Sequence, residues 1–192
     1  MATIDLPNNI LEALSTVLQQ LQQSLPEVKQ APDFSAIAFK WENGELKAIH
    51  QLKRIELNDL KGIERQKEKV LQNTEQFLNG LPANDVLLTG SRGTGKSSIV
   101  RALLTEYAEQ GLRLIEIERD DLSELPEIQK LIAERPEKFI VYCDDLAFNA
   151  EDENYRSLKS VLDGSLQSGS SNFIIYATSN RRHLLPEFMH EN

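Results

Sequence analysis

Residues 89–98 read TGSRGTGKSS, with glycines at 90, 93 and 95 followed by a lysine and two serines. From Gly90 to Ser97 the stretch fits G-x-x-x-x-G-K-[ST] without deviation. Glycines let a loop curl without Cβ clashes, so that successive backbone N–H groups can face one anion. Ahead of it stands DVLLTG, a short apolar strand, and behind it KSSIVRALLTEYAEQG, an amphipathic helix closed by Gly111. That strand–loop–helix context is what the mechanism requires, and the helix start adds its positive dipole end. The stretch therefore reads as a phosphate cradle, a Walker A loop. Gly90, Ser91, Arg92, Gly93, Thr94, Gly95, Lys96, Ser97 and Ser98 are its candidate nucleotide contacts. Lys96 is placed to reach the β- and γ-phosphates and the Ser97 hydroxyl to ligate Mg²⁺. Ser98 packs against or caps the same turn, and Arg92 reads as solvent-facing rather than catalytic. A glycine-rich turn that matches by chance is the competing explanation, and the flanking elements argue against it.

Working outward, helical and extended patterns alternate. GIERQKEKVLQNTEQFLNG reads as a helix, LRLIEIE as a strand, LPEIQKLIAERPE as a helix and KFIVYCDD as a strand. ENYRSLKSVLDGSLQ then reads as a helix and NFIIYATSN as a strand. Strands separated by helices imply right-handed crossovers and a parallel sheet covered on both faces, an α/β fold. FIVYC ends in Asp144-Asp145. A phosphate loop needs a carboxylate at a neighbouring strand end, which makes Asp144 the candidate Mg²⁺ partner, in a Walker B position. Asp145 is the candidate that orients and polarises an attacking water. The plainer alternative is a solvated pair ending a strand. FIIYATS ends at Asn180, whose amide can both donate and accept toward a γ-phosphate or water; the alternative is a cap on the following RRHLLPE helix.

Upstream, residues 8–25 read as a helix in which Leu11, Leu14, Leu18, Leu21 and Leu25 form one apolar seam. The seam suits either docking on its own domain or a short coiled-coil contact between subunits. VKQAPDF reads as a linker. FSAIAFKW and ELKAIHQL flank Asn43-Gly44, which supplies the positive φ angles of a tight hairpin turn.

The chain has 192 residues, 40% of them hydrophobic, and a net charge of −9. That balance supports a real core and disfavours a phosphate-backbone partner, so nucleic acid is a poor expectation. One cysteine, Cys143, excludes an intrachain disulfide and CxxC metal sites. A polar N-terminus and the absence of a long apolar run lead to the expectation of a cytoplasmic protein without a membrane span.

With Lys96, Asp144 and Asn180 on three strand ends, the chain resembles the AAA+ ATPase superfamily. FKWENGELKAI, GIERQKEKVLQNTEQFL, GSRGTGKSS, CDDLAF, LKSVLDGSL and YATSNRRHLLPE more closely resemble the bacterial domain-of-unknown-function family 815 of ATP-binding proteins, from about Phe39 to the C-terminus. The resemblance implies a P-loop NTPase three-layer sandwich with a parallel sheet, occupying residues 54–192. Residues 1–53 would form an N-terminal helix, linker and β-hairpin ahead of it. It implies ATP and Mg²⁺ as ligands, Leu60, Gly62 and Ile63 near the adenine, and a homo-oligomer, a ring in full-length relatives. No NKxD-type guanine-reading segment is present, which agrees with adenine. Two departures stand out: Asp145 occupies a position where the superfamily has Glu, and the chain stops before a fifth strand, arginine finger and helical lid. Without the fifth strand, VLLTG becomes a sheet edge that the hairpin or the leucine helix would cover. Arg181 and Arg182 follow the sensor position, but relatives place the finger later.

The leading expectation is an ATPase in which Lys96, Asp145 and Asn180 act on Mg²⁺-ATP to drive or gate a change in a protein client or oligomer, weakly in this chain. The alternative is a nucleotide-gated adaptor that binds ATP with little hydrolysis. A small-molecule kinase would need an arginine-rich lid that is not found, and a DNA-loading ATPase is disfavoured by the charge.

Overall fold

The computed structural model describes residues 7, 10, 12–17, 20, 31–146 and 172–180. The chain divides into two compact units, Met1–Ala31 and Pro32–Asn192. In the first, residues 12–17 are helical, and Leu14 is 47% exposed. The other leucines of the seam, the expected helix over 153–167 and the pair Arg181-Arg182 lie outside the described residues.

Among its described residues the second unit forms a six-stranded sheet of order β2-β1-β4-β5-β6-β3. Its strands are β1 (Ala38–Glu42), β2 (Glu45–Ala48), β3 (Val86–Thr89), β4 (Leu112–Glu116), β5 (Lys138–Cys143) and β6 (Phe173–Ser179). Every pair is parallel except β1 with β2. Among the described residues three α-helices flank it: α1 (Glu64–Leu78), α2 (Lys96–Tyr107) and α3 (Leu125–Ile132). The described connections include 3₁₀ turns at Leu57–Asp59, Ala108–Gln110 and Arg119–Glu124.

Strand alternation splits the core into two layers. Phe139, Val141 and Cys143 face Leu125, Ile128 and Ile132 of α3, whereas Ile140 and Tyr142 face Val70 and Phe77 of α1 and Ile99 and Leu103 of α2. Counting on by two puts Asp144 on the α2 side. The same parity on β6 puts Tyr176, Thr178 and Asn180 there as well. The alternation thus determines which polar groups meet the loop.

The Asn43-Gly44 turn forms as its sequence requires, with φ of 55° and 73° at the two residues. The hairpin, however, is not a separate N-terminal element. Strand β1 runs parallel to β4, with Phe39 opposite Ile115, and Ala38, Phe39 and Trp41 are buried. The indole N–H of Trp41 also donates to Glu124 Oε2 at 2.6 Å. A strand buried on both faces behaves as an interior strand, so the division falls after residue 31 and not after 53. The hairpin also lies at the far end of the sheet from β3, and so does not cover it. Among the described residues β3 pairs only with β6 and is an edge. No helix among them is long and apolar enough to cross a membrane.

Candidate functional site

The loop between β3 and α2 sits at the carboxyl end of the parallel strands, where α/β folds gather their ligand groups. Gly93 and Gly95 adopt φ of 77° and 86°, the left-handed region that side chains disfavour. At Gly95 a Cβ would also come within 3.1 Å of Ile63 Cδ1. The loop is held from within, Thr94 Oγ1 donating to Ser91 O at 2.8 Å, and tied to β6 by Gly90 N–H donating to Ser179 O at 3.1 Å.

Lys96 opens α2 and turns back over the loop. Its ammonium donates to Gly90 O at 2.6 Å, Ser91 O at 2.8 Å and Asn180 Oδ1 at 3.0 Å. The Asn180 amide N–H in turn donates to Asp145 Oδ1 at 2.6 Å, so one side chain links the lysine to the second aspartate. Arg92 approaches the other oxygen of Asp145 at 3.5 Å from an 85% exposed side chain.

A second set of contacts centres on Asp144. Its Oδ1 accepts from Ser97 Oγ at 2.9 Å and from the hydroxyl of Thr178. Thr178 Oγ1 also accepts the Asp145 backbone N–H at 2.9 Å. Burial pushes the Asp144 carboxyl up, but these hydroxyls and the Asp145 N–H outweigh it and hold the group below its usual range. The buried Tyr142 hydroxyl lies beside Asp144, Ser97 and Thr178 without meeting hydrogen-bond geometry, and it too helps hold that carboxyl down. Thr178 escaped the sequence reading; it reads as one more residue of an apolar strand, and only its parity with Asn180 marks it.

Lys96, Ser97, Asp144, Thr178 and Asn180 line a cleft of about 360 Å³ with Arg92, Gly93, Thr94, Gly95, Ser98 and Asp145, whereas Gly90 and Ser91 of the loop do not line it. The donor set suits a hard cation: one hydroxyl and one carboxylate, with no cluster of three or more His, Cys, Asp or Glu among the described residues. Mg²⁺ retains waters and binds through one or two protein oxygens plus phosphate, which matches so sparse a set. Leu60, Gly62 and Ile63 do not line the cleft. Ile63 touches the loop at Gly95, Leu60 is half-buried against the α1–α2 layer, and Gly62 is exposed, donating its N–H to Glu64 Oε1 at 2.9 Å.

Residues 34–192 match the family model described as "Protein of unknown function (DUF815)". Replication factor C large subunit of Methanococcus maripaludis (strain C7 / ATCC BAA-1331) is 36% identical over 52 residues, 27% of this chain and 11% of that protein. The chain thus spans about a tenth of that relative's length. Among solved structures it is similar to the Orc1 protein of Aeropyrum pernix in complex with DNA, at TM-score 0.50 and 13% identity, over 63% of this chain and 39% of that one. It is also similar to AMPPCP-bound DnaA from Aquifex aeolicus, at TM-score 0.44 and 21% identity, again over 63% and 39%. At 13% identity the likeness to the Orc1 protein speaks to fold alone. Because the family match takes in β1 through β6 and every residue of the cleft, the chain belongs to the DUF815 family, and its fold is that of an AAA+ type P-loop NTPase.

Proposed function

We propose that this chain binds Mg²⁺-ATP in the cleft and hydrolyses it slowly, and that nucleotide state drives or gates a conformational change in a protein partner or in an oligomer of the chain. The observation that carries this is the Lys96–Asn180–Asp145 bridge beside the Ser97–Asp144 pair, two polar chains converging on one glycine loop. The loop N–H groups and Lys96 would hold the β- and γ-phosphates, and Ser97 and Asp144 would hold the cation. Mg²⁺, when bound, supplies positive charge against the phosphate oxygens. Asp145 would accept a hydrogen bond from the attacking water and orient it in line. As the water oxygen bonds to the γ-phosphorus and its proton passes to Asp145, the bond to the bridging oxygen breaks and ADP leaves with that electron pair. Asn180 gives the site its sensitivity. A phosphate drawing on Lys96 competes with the Asn180 oxygen, and the same amide holds Asp145 in place.

The test is calorimetry and phosphate release on wild type and Lys96→Ala. Loss of one charge-assisted contact to phosphate is expected to weaken ATP affinity about 10- to 100-fold. Equal affinity and turnover in the variant would end this assignment.

A second proposal, a nucleotide-gated adaptor with little turnover, is favoured by Asp145. Its carboxylate is one methylene shorter than Glu and already shared between Asn180 and Arg92. Tight binding with no Mg²⁺-dependent phosphate release selects it. The acidic balance of the chain argues against a nucleic-acid client for either version.

A further inference from the structure

A second cavity, about 620 Å³, lies away from the phosphate loop, between residues 49–54, strands β1 and β4, and the second half of α2. Its floor includes the buried side chains of Ala38, Leu104 and Leu114. Its rim carries Lys53, Arg54 and Arg101, all exposed. We propose that this cavity is a binding site for a small organic monoanion with an apolar body.

Volume comes first: pockets that enclose small molecules run from about 300 to 1,000 Å³ and are mostly apolar, with a few polar groups setting orientation. Charge comes second. In this acidic chain Lys40, Lys47, Lys130 and Arg135 are all held in ion pairs. The cations Lys53, Arg54, Lys61, Arg65, Lys69 and Arg101 make no side-chain hydrogen bond or ion pair among the described residues, and three of them, Lys53, Arg54 and Arg101, border this one cavity. Glu109 and Glu116 also lie on the wall, which leaves a balance of one positive charge and matches a single anionic group rather than a polyphosphate. An apolar floor under a cationic rim discriminates in two ways at once. It rejects apolar neutral ligands by leaving the rim unmatched, and small inorganic anions by leaving the floor wet.

The probe pair is 1-anilinonaphthalene-8-sulfonate and its uncharged parent, N-phenyl-1-naphthylamine, titrated into the full chain by fluorescence with saturating Mg²⁺-ATP present. One equivalent of the sulfonate is expected to bind at least about tenfold tighter than the parent. The double variant Lys53→Glu/Arg54→Glu, altered only at exposed positions, should lose that preference while still binding the parent. Thr105→Trp, which fills the cavity from α2, should weaken both dyes by about tenfold or more. Lys96→Ala should leave both affinities unchanged, which separates this site from the phosphate loop. Equal binding of the two dyes, sulfonate binding that tightens when Mg²⁺-ATP is left out, or undiminished sulfonate binding in the double variant with thermal melting intact would each overturn the proposal.

Discussion

Asp145 sits at φ 54°, in the left-handed region that L-residues other than Asn and Asp rarely occupy. This gives the Asp-for-Glu departure a physical cause: the short side chain suits a backbone that a longer one tolerates less well. Asp145→Asn keeps the conformation and the bond from Asn180 but removes the charge and the contact with Arg92. Nucleotide affinity is then expected to stay within about threefold while turnover drops by about 10²-fold or more, read by calorimetry against phosphate release. Asp145→Glu should lower the melting temperature without raising the rate. Of the site, Lys96, Ser97, Asp144 and Asn180 were legible because a motif or a strand end marked each one. Thr178 and the backbone of Asp145 were not. A hydroxyl inside an apolar run and a dihedral angle leave no pattern in composition.

At the scale of elements, α2 depends on a close approach. Gly95→Ala would place its methyl 3.1 Å from Ile63 Cδ1 and force a side chain into φ 86°. The expected cost is about 1–2 kcal/mol, read as a fall in melting temperature of about 2–8 °C. Adding Ile63→Val should recover only the steric share, leaving the backbone cost in place. The strands and helices of the described unit were legible from period and glycine punctuation. The hairpin's place was not, because a turn motif specifies a pair of strands and says nothing of what their outer edge will meet. That meeting is decided by Phe39 and Trp41, whose burial requires β4 on one side and Glu124 above.

For the molecule as a whole, two groups report on global opening. Cys143 is buried at the end of β5, and burial with nearby Asp144 pushes its thiol up to about 12. Labelling by a maleimide at pH 8 is expected to wait on unfolding and to slow when Mg²⁺-ATP is added, since a ligand of the native state opposes opening. Asp85 is held up by burial although its Oδ1 accepts the Ile175 N–H at 2.6 Å. A carboxyl raised above its unfolded value of 3.8 weakens the fold above its folded pKa, and the penalty fades as pH falls toward 3.8. Asp85→Asn should therefore melt higher than wild type at pH 7 and lose that advantage near pH 3.8. Asp144 runs the other way, its stabilisation present above 3.8 and lost below.

The pairing of β3 with β6, Val86 against Tyr176, has a consequence for the growing chain. During synthesis the hairpin closes on itself within a few residues, whereas the strand bearing the glycine loop, among the described residues, finds its sheet neighbour only when residues 173–179 emerge. Until then Lys96 lacks its contact with Asn180 and Asp144 its contact with Thr178, so the cleft is incomplete. On the proposed reading nucleotide would thus be a late passenger, arriving after the earlier steps of assembly.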